Sequence, residues 1–192
     1  MSQQFQYLFT PLQIGPLTVR NRIMVTAHTK NYGENNLLSD RHIAYYAERA
    51  KGGVGLIVTE MQAVHPTSTG AFHNICLGFD PLQTVPRYKK LAQAVHAHGA
   101  KIVCQIWHCG QHTDGQVIHD DWRPVWAPSP VPCVLSRETP HEMDTDEIQE
   151  VIQGFAQTAR NVKDGGIDGV ELHGAHSYGI GQFLSPFSNK RT

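Results

Sequence analysis

The sequence predicts an α/β protein built as the first four strand–helix units of a (β/α)8 TIM barrel, preceded by a small β-hairpin. Three observations support this fold class. Apolar strand segments alternate with helical segments that stop at glycine, as they do in parallel βα units. No glycine-rich phosphate-binding sequence follows the first strand, where an open dinucleotide-binding sheet would carry one. Polar side chains stand at the end of every strand, where barrel enzymes build their sites.

The first strand–helix unit follows the hairpin. Residues 8–20 contain short apolar pieces broken by a Gly-Pro pair, which indicates a hairpin. Residues 23–27 form a compact β-prone segment, and Ser39 can cap a helix that runs to about Lys51 and stops at two glycines. Residues 54–60 are apolar without alternation, which is typical of a strand buried on both faces of a parallel sheet.

The strand–helix unit then repeats. A helix is predicted from about Val85 to His98, followed by a third strand at residues 101–107. Asp144 can cap a helix that runs to about Asp164, and a fourth strand covers residues 167–173. A complete barrel needs about 250 residues and eight strands. We therefore expect residues 1–192 to be the N-terminal half of a single domain, with apolar edges exposed on the first and fourth strands.

Composition and charge disfavour several classes of function. The 16 Lys and Arg residues against 17 Asp and Glu residues give a formal net charge of -1, which leaves no broad positive field for nucleic acid or membrane lipid. No segment approaches the roughly 20 apolar residues of a membrane span, and the N-terminus lacks a basic segment followed by an apolar one. Four irregularly spaced cysteines fit reduced thiols. We expect a cytoplasmic protein with a small-molecule substrate.

Several motifs resemble those of the Old Yellow Enzyme flavoproteins, the NADH:flavin oxidoreductase family. Residues 170–186 (VELHGAHSYGIGQFLSP) resemble the fourth-strand signature of that family. Residues 8–11 and 17–23 are similar to its opening hairpin and first strand, and residues 105–110 (QIWHCG) are similar to its third-strand motif. Residues 174–178 (GAHSY) look more like the branch with 2,4-dienoyl-CoA reductases and trimethylamine dehydrogenase-like proteins than like plant or yeast enone reductases.

The resemblance implies FMN as cofactor, lying across the barrel mouth, and NAD(P)H as co-substrate. It assigns these cofactor contacts: Val25, Thr26, Ala27, Glu60, Met61, Gln105 and His173. Gln105 would hydrogen-bond the flavin pyrimidine, because one amide side chain supplies both a donor and an acceptor. The family's phosphate grip comes from later strands, so we expect this chain alone to bind FMN weakly and to be inactive. Resembling proteins of this branch often also carry a C-terminal 4Fe-4S cluster and FAD.

The resemblance also assigns catalytic residues. His173 and His176 match the family pair that holds a substrate carbonyl oxygen, and Tyr178 matches the proton donor. Hydride addition to the β-carbon of an activated alkene places negative charge on that oxygen. Two imidazole N–H groups can stabilise this charge, and a phenol can protonate the α-carbon. The resemblance therefore implies an FMN-dependent oxidoreductase that reduces an activated C=C bond with NAD(P)H.

Three alternatives remain at the level of sequence. An oxidative N-demethylase or amine dehydrogenase would favour an aromatic bowl, and trimethylamine dehydrogenase-like proteins tend to have tyrosine where His173 stands, which favours reduction here. A metal-dependent barrel hydrolase could use His173 and His176 with His108, Cys109 or His112, although no spacing motif supports a metal site. An inert half-barrel could form a homo-oligomer through its open edges.

Overall fold

The computed structural model describes residues 5–68, 74–113 and 124–192. The predicted hairpin is confirmed. It consists of β1 (Leu12–Ile14) and β2 (Leu17–Val19), which pair antiparallel. Gly15 adopts a φ of 56° in the turn, a backbone conformation that residues with a side chain rarely adopt.

A parallel sheet forms the centre of the molecule. The strands after the hairpin are β3 (Met24–Val25), β4 (Leu56–Val58), β5 (Gln62–Ala63), β6 (Cys76–Leu77), β7 (Lys101–Trp107), β8 (Trp126–Ala127), β9 (His141–Glu142) and β10 (Gly169–Leu172). Both β4 and β5 pair with one edge of β7, and β10 pairs with its other edge. The sheet continues through β3 beside β4 and β6 beside β5, while β8 and β9 form a separate parallel pair. The four predicted strands are therefore neighbours in chain order.

The second predicted strand, residues 54–60, forms β4 and is followed by a bulge. Val58 pairs with Val103, and Gln62 pairs with Ile106, so residues 59–61 stand opposite only two residues of β7. One extra residue on one strand is a bulge, which bends the strand and re-aims its side chains. The predicted strand is present as β4 but ends at Val58 and not at Glu60, because a bulge depends on the pairing partner and not on the local apolar pattern.

The described residues form the α-helices α1 (Asp40–Lys51), α2 (Pro81–His96), α3 (Thr145–Asp164) and α4 (Gly179–Leu184). The predicted caps of α1 and α3 are confirmed, since Ser39 and Asp144 each accept a hydrogen bond from a first-turn backbone N–H. By contrast, α2 begins four residues before the predicted Val85. The Asp80 carboxylate caps it, and proline is tolerated in the first turn of a helix.

The hydrophobic core lies between the sheet and helices α1, α2 and α3. Its fully buried large members include Tyr46, Ile57, Tyr88, Leu91 and Ile102. The opposite face of the sheet is called the inner face below. As expected for outer strands, Met24 of β3 is 50% exposed and Leu172 of β10 is 60% exposed. Within the ranges described, no helix has the length and apolar character needed to cross a bilayer.

Candidate active site

Gln105 lies on the inner face of the sheet. Ile102, Cys104 and Ile106 of β7 pack into the helix-covered core, and successive side chains of a strand point to opposite faces. Gln105 therefore points inward. Its parallel partner in register is Glu171, and Gln105 Nε2 donates to Glu171 Oε1 at 2.6 Å. This bond orients the glutamine amide at the carboxyl end of the sheet, where the sequence placed a cofactor contact.

The first strand brings a hydroxyl group to the same end of the sheet. Val25 packs against the helix-covered core and pairs in register with Ile57. Thr26 follows it and is exposed, and Ala27 is half-buried. By strand alternation Thr26 points to the inner face, as Gln105 does. Its role as a cofactor contact stays a prediction.

Glu60 lies in the bulge and is almost completely buried. Its carboxylate accepts hydrogen bonds from His42 Nε2 and from the backbone N–H groups of Lys30 and Asn31. Burial by itself would raise the pKa of Glu60, but these hydrogen bonds outweigh it and hold the pKa below its usual value. The carboxylate is therefore ionised at neutral pH and committed to protein donors. Glu60 ties the loop after β3 to the sheet, and any flavin contact would come from its other atoms.

Met61 follows Glu60 and belongs to a second apolar cluster. The cluster contains Ala63, Ile75, Trp107 and Cys109, with the Tyr178 ring packed against it. The Thr29 hydroxyl donates to Met61 Sδ at 3.4 Å. This cluster forms the wall against which the proposed proton donor rests.

His173, His176 and Tyr178 come together after β10, as the motif predicts. The ring centroids of His173 lie 5.2 Å from His176 and 5.0 Å from Tyr178, and His176 lies 6.4 Å from Tyr178. The Tyr178 ring meets Trp107 edge-on at 4.5 Å. Three groups that can donate or transfer a proton therefore share one small region at the carboxyl end of the sheet.

The protonation states of His173 and Tyr178 suit donation at neutral pH. Burial, together with the neighbouring His176, lowers the pKa of His173, so its imidazole is neutral. The backbone N–H of Ala175 donates to His173 Nδ1 at 3.4 Å, which leaves the proton on Nε2. Burial, with a smaller effect of Cys109, raises the pKa of Tyr178, so the phenol keeps its proton. Both side chains carry an available N–H or O–H proton.

His108 belongs to a buried hydrogen-bond chain that sequence reasoning missed. Its Nδ1 accepts from the Gly110 N–H at 3.1 Å, and its Nε2 lies 2.9 Å from the Thr67 hydroxyl. That hydroxyl contacts His65, whose Nε2 lies 2.9 Å from the Glu150 carboxylate at the surface. Burial, then His65, lowers the pKa of His108 to about 3. Both ring nitrogens of His108 are thus occupied by protein partners.

In the part of the chain that the structure describes, no metal-binding cluster surrounds His173 and His176. Among the described residues, the group of three that could hold an ion is His42, Glu60 and Cys76, all buried. His42 Nε2 already donates a hydrogen bond to the Glu60 carboxylate, so these two groups are partners of each other. His173 and His176 have no third ligand atom of this kind beside them in the described part of the chain. The histidine pair is better placed to bind an oxygen atom than a metal ion.

Gln182 is a second residue that sequence reasoning missed, although it lies inside the recognised motif. It is fully buried on α4, and its amide contacts the loops on both sides of Tyr178. The signal in the sequence was a polar residue between Ile180 and Phe183 on a short helix. Its partners lie in distant segments, so the pattern alone could not name them.

Comparison with known proteins places this chain in a family. The chain matches the NADH:flavin oxidoreductase / NADH oxidase family over residues 7–192. An NADH oxidase from Thermoanaerobacter brockii is 42% identical over 189 residues, a match that covers 97% of this chain and 28% of that protein. An N,N-dimethylglycine/sarcosine dehydrogenase from Chromohalobacter salexigens is 39% identical over 194 residues, covering 97% of this chain and 27% of that protein.

The chain is also similar in structure to a solved protein. Morphinone reductase superposes with a TM-score of 0.90 at 30% identity, covering 96% of this chain and 52% of that one. The chain therefore spans about half the length of this structure and just over a quarter of the two curated relatives. The resemblance to Old Yellow Enzymes and the TIM-barrel type of the sheet are confirmed. The chain belongs to the NADH:flavin oxidoreductase / NADH oxidase family.

Proposed function

We propose that this chain is part of an FMN-dependent oxidoreductase that uses NAD(P)H to reduce the C=C bond of a small electron-poor alkene, such as an enone or enoyl-type compound. The observation that carries the proposal is the packing of His173, His176 and Tyr178, whose rings lie within 6.4 Å of one another. Membership of the NADH:flavin oxidoreductase / NADH oxidase family supports the flavin and the nicotinamide. The substrate class follows from what these three side chains can do together.

The inner face of the sheet has the donor set that a flavin requires. A flavin pyrimidine needs uncharged hydrogen-bond donors and acceptors, which the Gln105 amide and the Thr26 hydroxyl supply. His173, which follows β10, adds an N–H group at the same end of the sheet. Bound FMN would accept a hydride from NAD(P)H and pass it to the substrate.

The remaining flavin contacts would come from apolar groups and backbone. Val25 and Ala27 flank Thr26, and Met61 supplies a soft apolar side chain from the cluster around Trp107. Glu60 would act through the backbone that it holds, because its carboxylate is occupied by His42 and by the loop after β3. Each residue predicted to contact the cofactor would therefore make a contact that its chemistry allows.

The histidine pair would bind the substrate oxygen. His173 Nε2 and His176 Nδ1 lie 3.5 Å apart, which is long for a hydrogen bond, so an oxygen atom can compete for their N–H groups. Negative charge develops on a carbonyl oxygen while its alkene is reduced, and neutral N–H donors stabilise such charge. The neutral state of His173 is what its lowered pKa provides.

Tyr178 would then protonate the α-carbon. Its raised pKa keeps the proton on the phenol at neutral pH, and its edge contact with Trp107 restricts the orientation of the ring. A proton donor of this kind contributes about 10²–10⁴-fold in rate. The phenolate left behind regains its proton from solvent.

Oxidative demethylation of a methylated amine is the second candidate. The relative from Chromohalobacter salexigens, an N,N-dimethylglycine/sarcosine dehydrogenase, favours it. The partly exposed Tyr178 ring, which rests on the buried Trp107, supplies an aromatic surface that could face a methylated ammonium. His173 favours reduction, because a neutral N–H donor does not attract a cation.

An absorption spectrum followed by anaerobic titration separates the two candidates. The complete protein of which this chain is part should show flavin bands that bleach with NADH or NADPH and return when an enone is added. Bleaching by dimethylglycine, with no reoxidation by enones, would move the assignment to demethylation. A complete protein that binds no flavin would refute both candidates.

A further inference from the structure

The segment that carries His176 and Tyr178 is held in an unfavourable backbone conformation. His176 and Ser177 have φ angles of 56° and 55°, in the left-handed region that residues with a side chain rarely adopt. Two such residues in succession need partners that hold them there. The N–H of Tyr178 donates to the Ala175 carbonyl at 3.2 Å, which closes the turn on one side. A second contact reaches the Ser177 carbonyl from α4.

That second contact is the Gln182 amide. Gln182 is fully buried, and its Nε2 donates to the Ser177 carbonyl oxygen at 2.5 Å. Its Oε1 accepts from the backbone N–H of Gln111 at 3.1 Å, and Nε2 also lies 3.5 Å from the Cys109 carbonyl oxygen. A backbone N–H needs an acceptor and a carbonyl needs a donor, so these partners allow only one orientation of the amide.

The two loops that Gln182 joins both border Tyr178, since one precedes it directly and the other carries Cys109, whose cluster the Tyr178 ring contacts. Residues 109–111 follow β7, so they continue from the strand end where Trp107 touches that ring. Gly110 has a φ of 60°, and a Cβ atom there would lie 2.0 Å from Gln182 Oε1. The glycine thus leaves the space that the buried amide occupies. One side chain holds both the strained turn before Tyr178 and the loop behind it.

We propose that Gln182 is a positioning residue for proton transfer, which sets Tyr178 and His176 relative to the wall formed by Trp107. This inference rests on the proposed function, because the position of Tyr178 matters only if the phenol delivers a proton. Gln182 contacts neither reacting atom and acts through the Ser177 carbonyl and the Gln111 N–H. A displacement of about 1 Å in such a group can cost about 10²-fold in rate.

The first test replaces Gln182 with methionine in the FMN-loaded enzyme. Gln182→Met keeps the length of the side chain and removes its hydrogen bonds. We expect reoxidation of the reduced enzyme by an enone to slow by about 10–10²-fold, with a larger solvent isotope effect, because proton delivery becomes limiting. Reduction by NAD(P)H needs no proton from Tyr178 and should change less.

Asn161→Leu is the matched control. Asn161 is also a buried amide that donates to a backbone carbonyl, that of Gly78, at 2.8 Å. It lies on α3 and joins that helix to the residue after β6, away from Tyr178. We expect Asn161→Leu to lower stability without moving Tyr178. Its enone rate and isotope effect should therefore stay at the wild-type values. A wild-type rate and isotope effect in Gln182→Met would overturn the inference.

Gln182→Glu supplies a second, pH-dependent test. The introduced oxygen would face the carbonyl oxygens of Ser177 and Cys109, so the ionised form repels both. The protonated form can still donate to Ser177 while its other oxygen accepts from Gln111. We expect the enone step of this variant to recover as the pH falls, whereas Gln182→Met should show no such recovery. Failure of the acid to restore the rate in an intact Gln182→Glu protein contradicts the positioning role.

Hydrogen exchange separates this inference from the proposed function. The Gln111 amide proton should be protected in the wild-type protein and exchange faster in Gln182→Met, with Asn161→Leu as the reference. This readout needs neither substrate nor turnover. If the wild-type protein reduces no alkene, the proposed function fails. If the Gln111 backbone N–H is protected equally in the wild-type protein and in Gln182→Met, the positioning role of Gln182 is overturned, whatever the activity.

Discussion

Replacing Glu60 would test the buried network that ties the loop after β3 to the sheet. The Glu60 carboxylate accepts from His42 Nε2 and from the backbone N–H groups of Lys30 and Asn31. Glu60→Ala leaves three donors without their acceptor, and a buried unsatisfied donor costs about 1–3 kcal/mol. The two backbone groups are only partly buried and can turn to water, but His42 is fully buried. We therefore expect the free energy of unfolding to fall by about 1–3 kcal/mol, the cost of leaving the buried His42 donor unpaired.

The same network gives the loss a definite pH dependence. Burial would raise the pKa of Glu60, but the hydrogen bonds from His42 and the loop backbone lower it below the usual 4.5. A carboxyl group whose pKa is lowered on folding adds stability above its unfolded pKa, and this stability is lost as the pH falls through the folded value. The difference in the free energy of unfolding between wild type and Glu60→Ala should be largest above pH 4.5 and shrink below it.

Urea unfolding followed by circular dichroism measures this difference at each pH. Glu48→Ala is the control, because Glu48 is an exposed carboxylate on α1 whose partner Lys51 lies 3.8 Å away. Such a surface pair contributes about 0–1 kcal/mol. If Glu60→Ala costs no more than Glu48→Ala, or if its cost stays constant into acid, the carboxylate does not hold the loop in the way described.

Three further predictions concern the site and its surroundings. Tyr178→Phe should slow enone reduction by about 10²–10⁴-fold in stopped-flow reoxidation, and an unchanged rate would exclude the phenol as proton donor. Gly110→Ala should lower the free energy of unfolding by about 2–4 kcal/mol, since its Cβ would meet the Gln182 amide at 2.0 Å; a neutral effect in urea unfolding would contradict that packing. Burial raises the pKa of Cys104 and of Cys109 to about 12, so iodoacetamide should label neither thiol before unfolding, as mass spectrometry can show.

The elements that the sequence located well are those with local signals. Residues 101–107 were predicted as a strand and form β7 with the same bounds. Ser39 and Asp144 cap the helices that they were expected to cap, because an N-cap bonds to a backbone group only two or three residues away. The early start of α2 had a local signal as well, the Asp80-Pro81 pair, but two prolines in the segment obscured it.

The bulge at residues 59–61 and the pairing of β8 with β9 had no such signal. Each depends on which strand lies alongside, and the partners are separated by long stretches of chain. The apolar pattern of a strand is the same whether or not the strand carries an extra residue opposite its pairing partner. Strand register therefore became visible only in the folded protein.

The sequence by itself determined the family and the order of the strands, and it predicted the trio of His173, His176 and Tyr178 as site residues, because these depend on motif and on local pattern. Tertiary structure decided the protonation states and the partners. The Glu60 carboxylate meets a histidine 18 positions away, and the Gln182 amide meets a backbone N–H 71 positions away. A pKa or a buried hydrogen bond depends on what surrounds a group in space, and that arrangement exists only after distant segments have packed together.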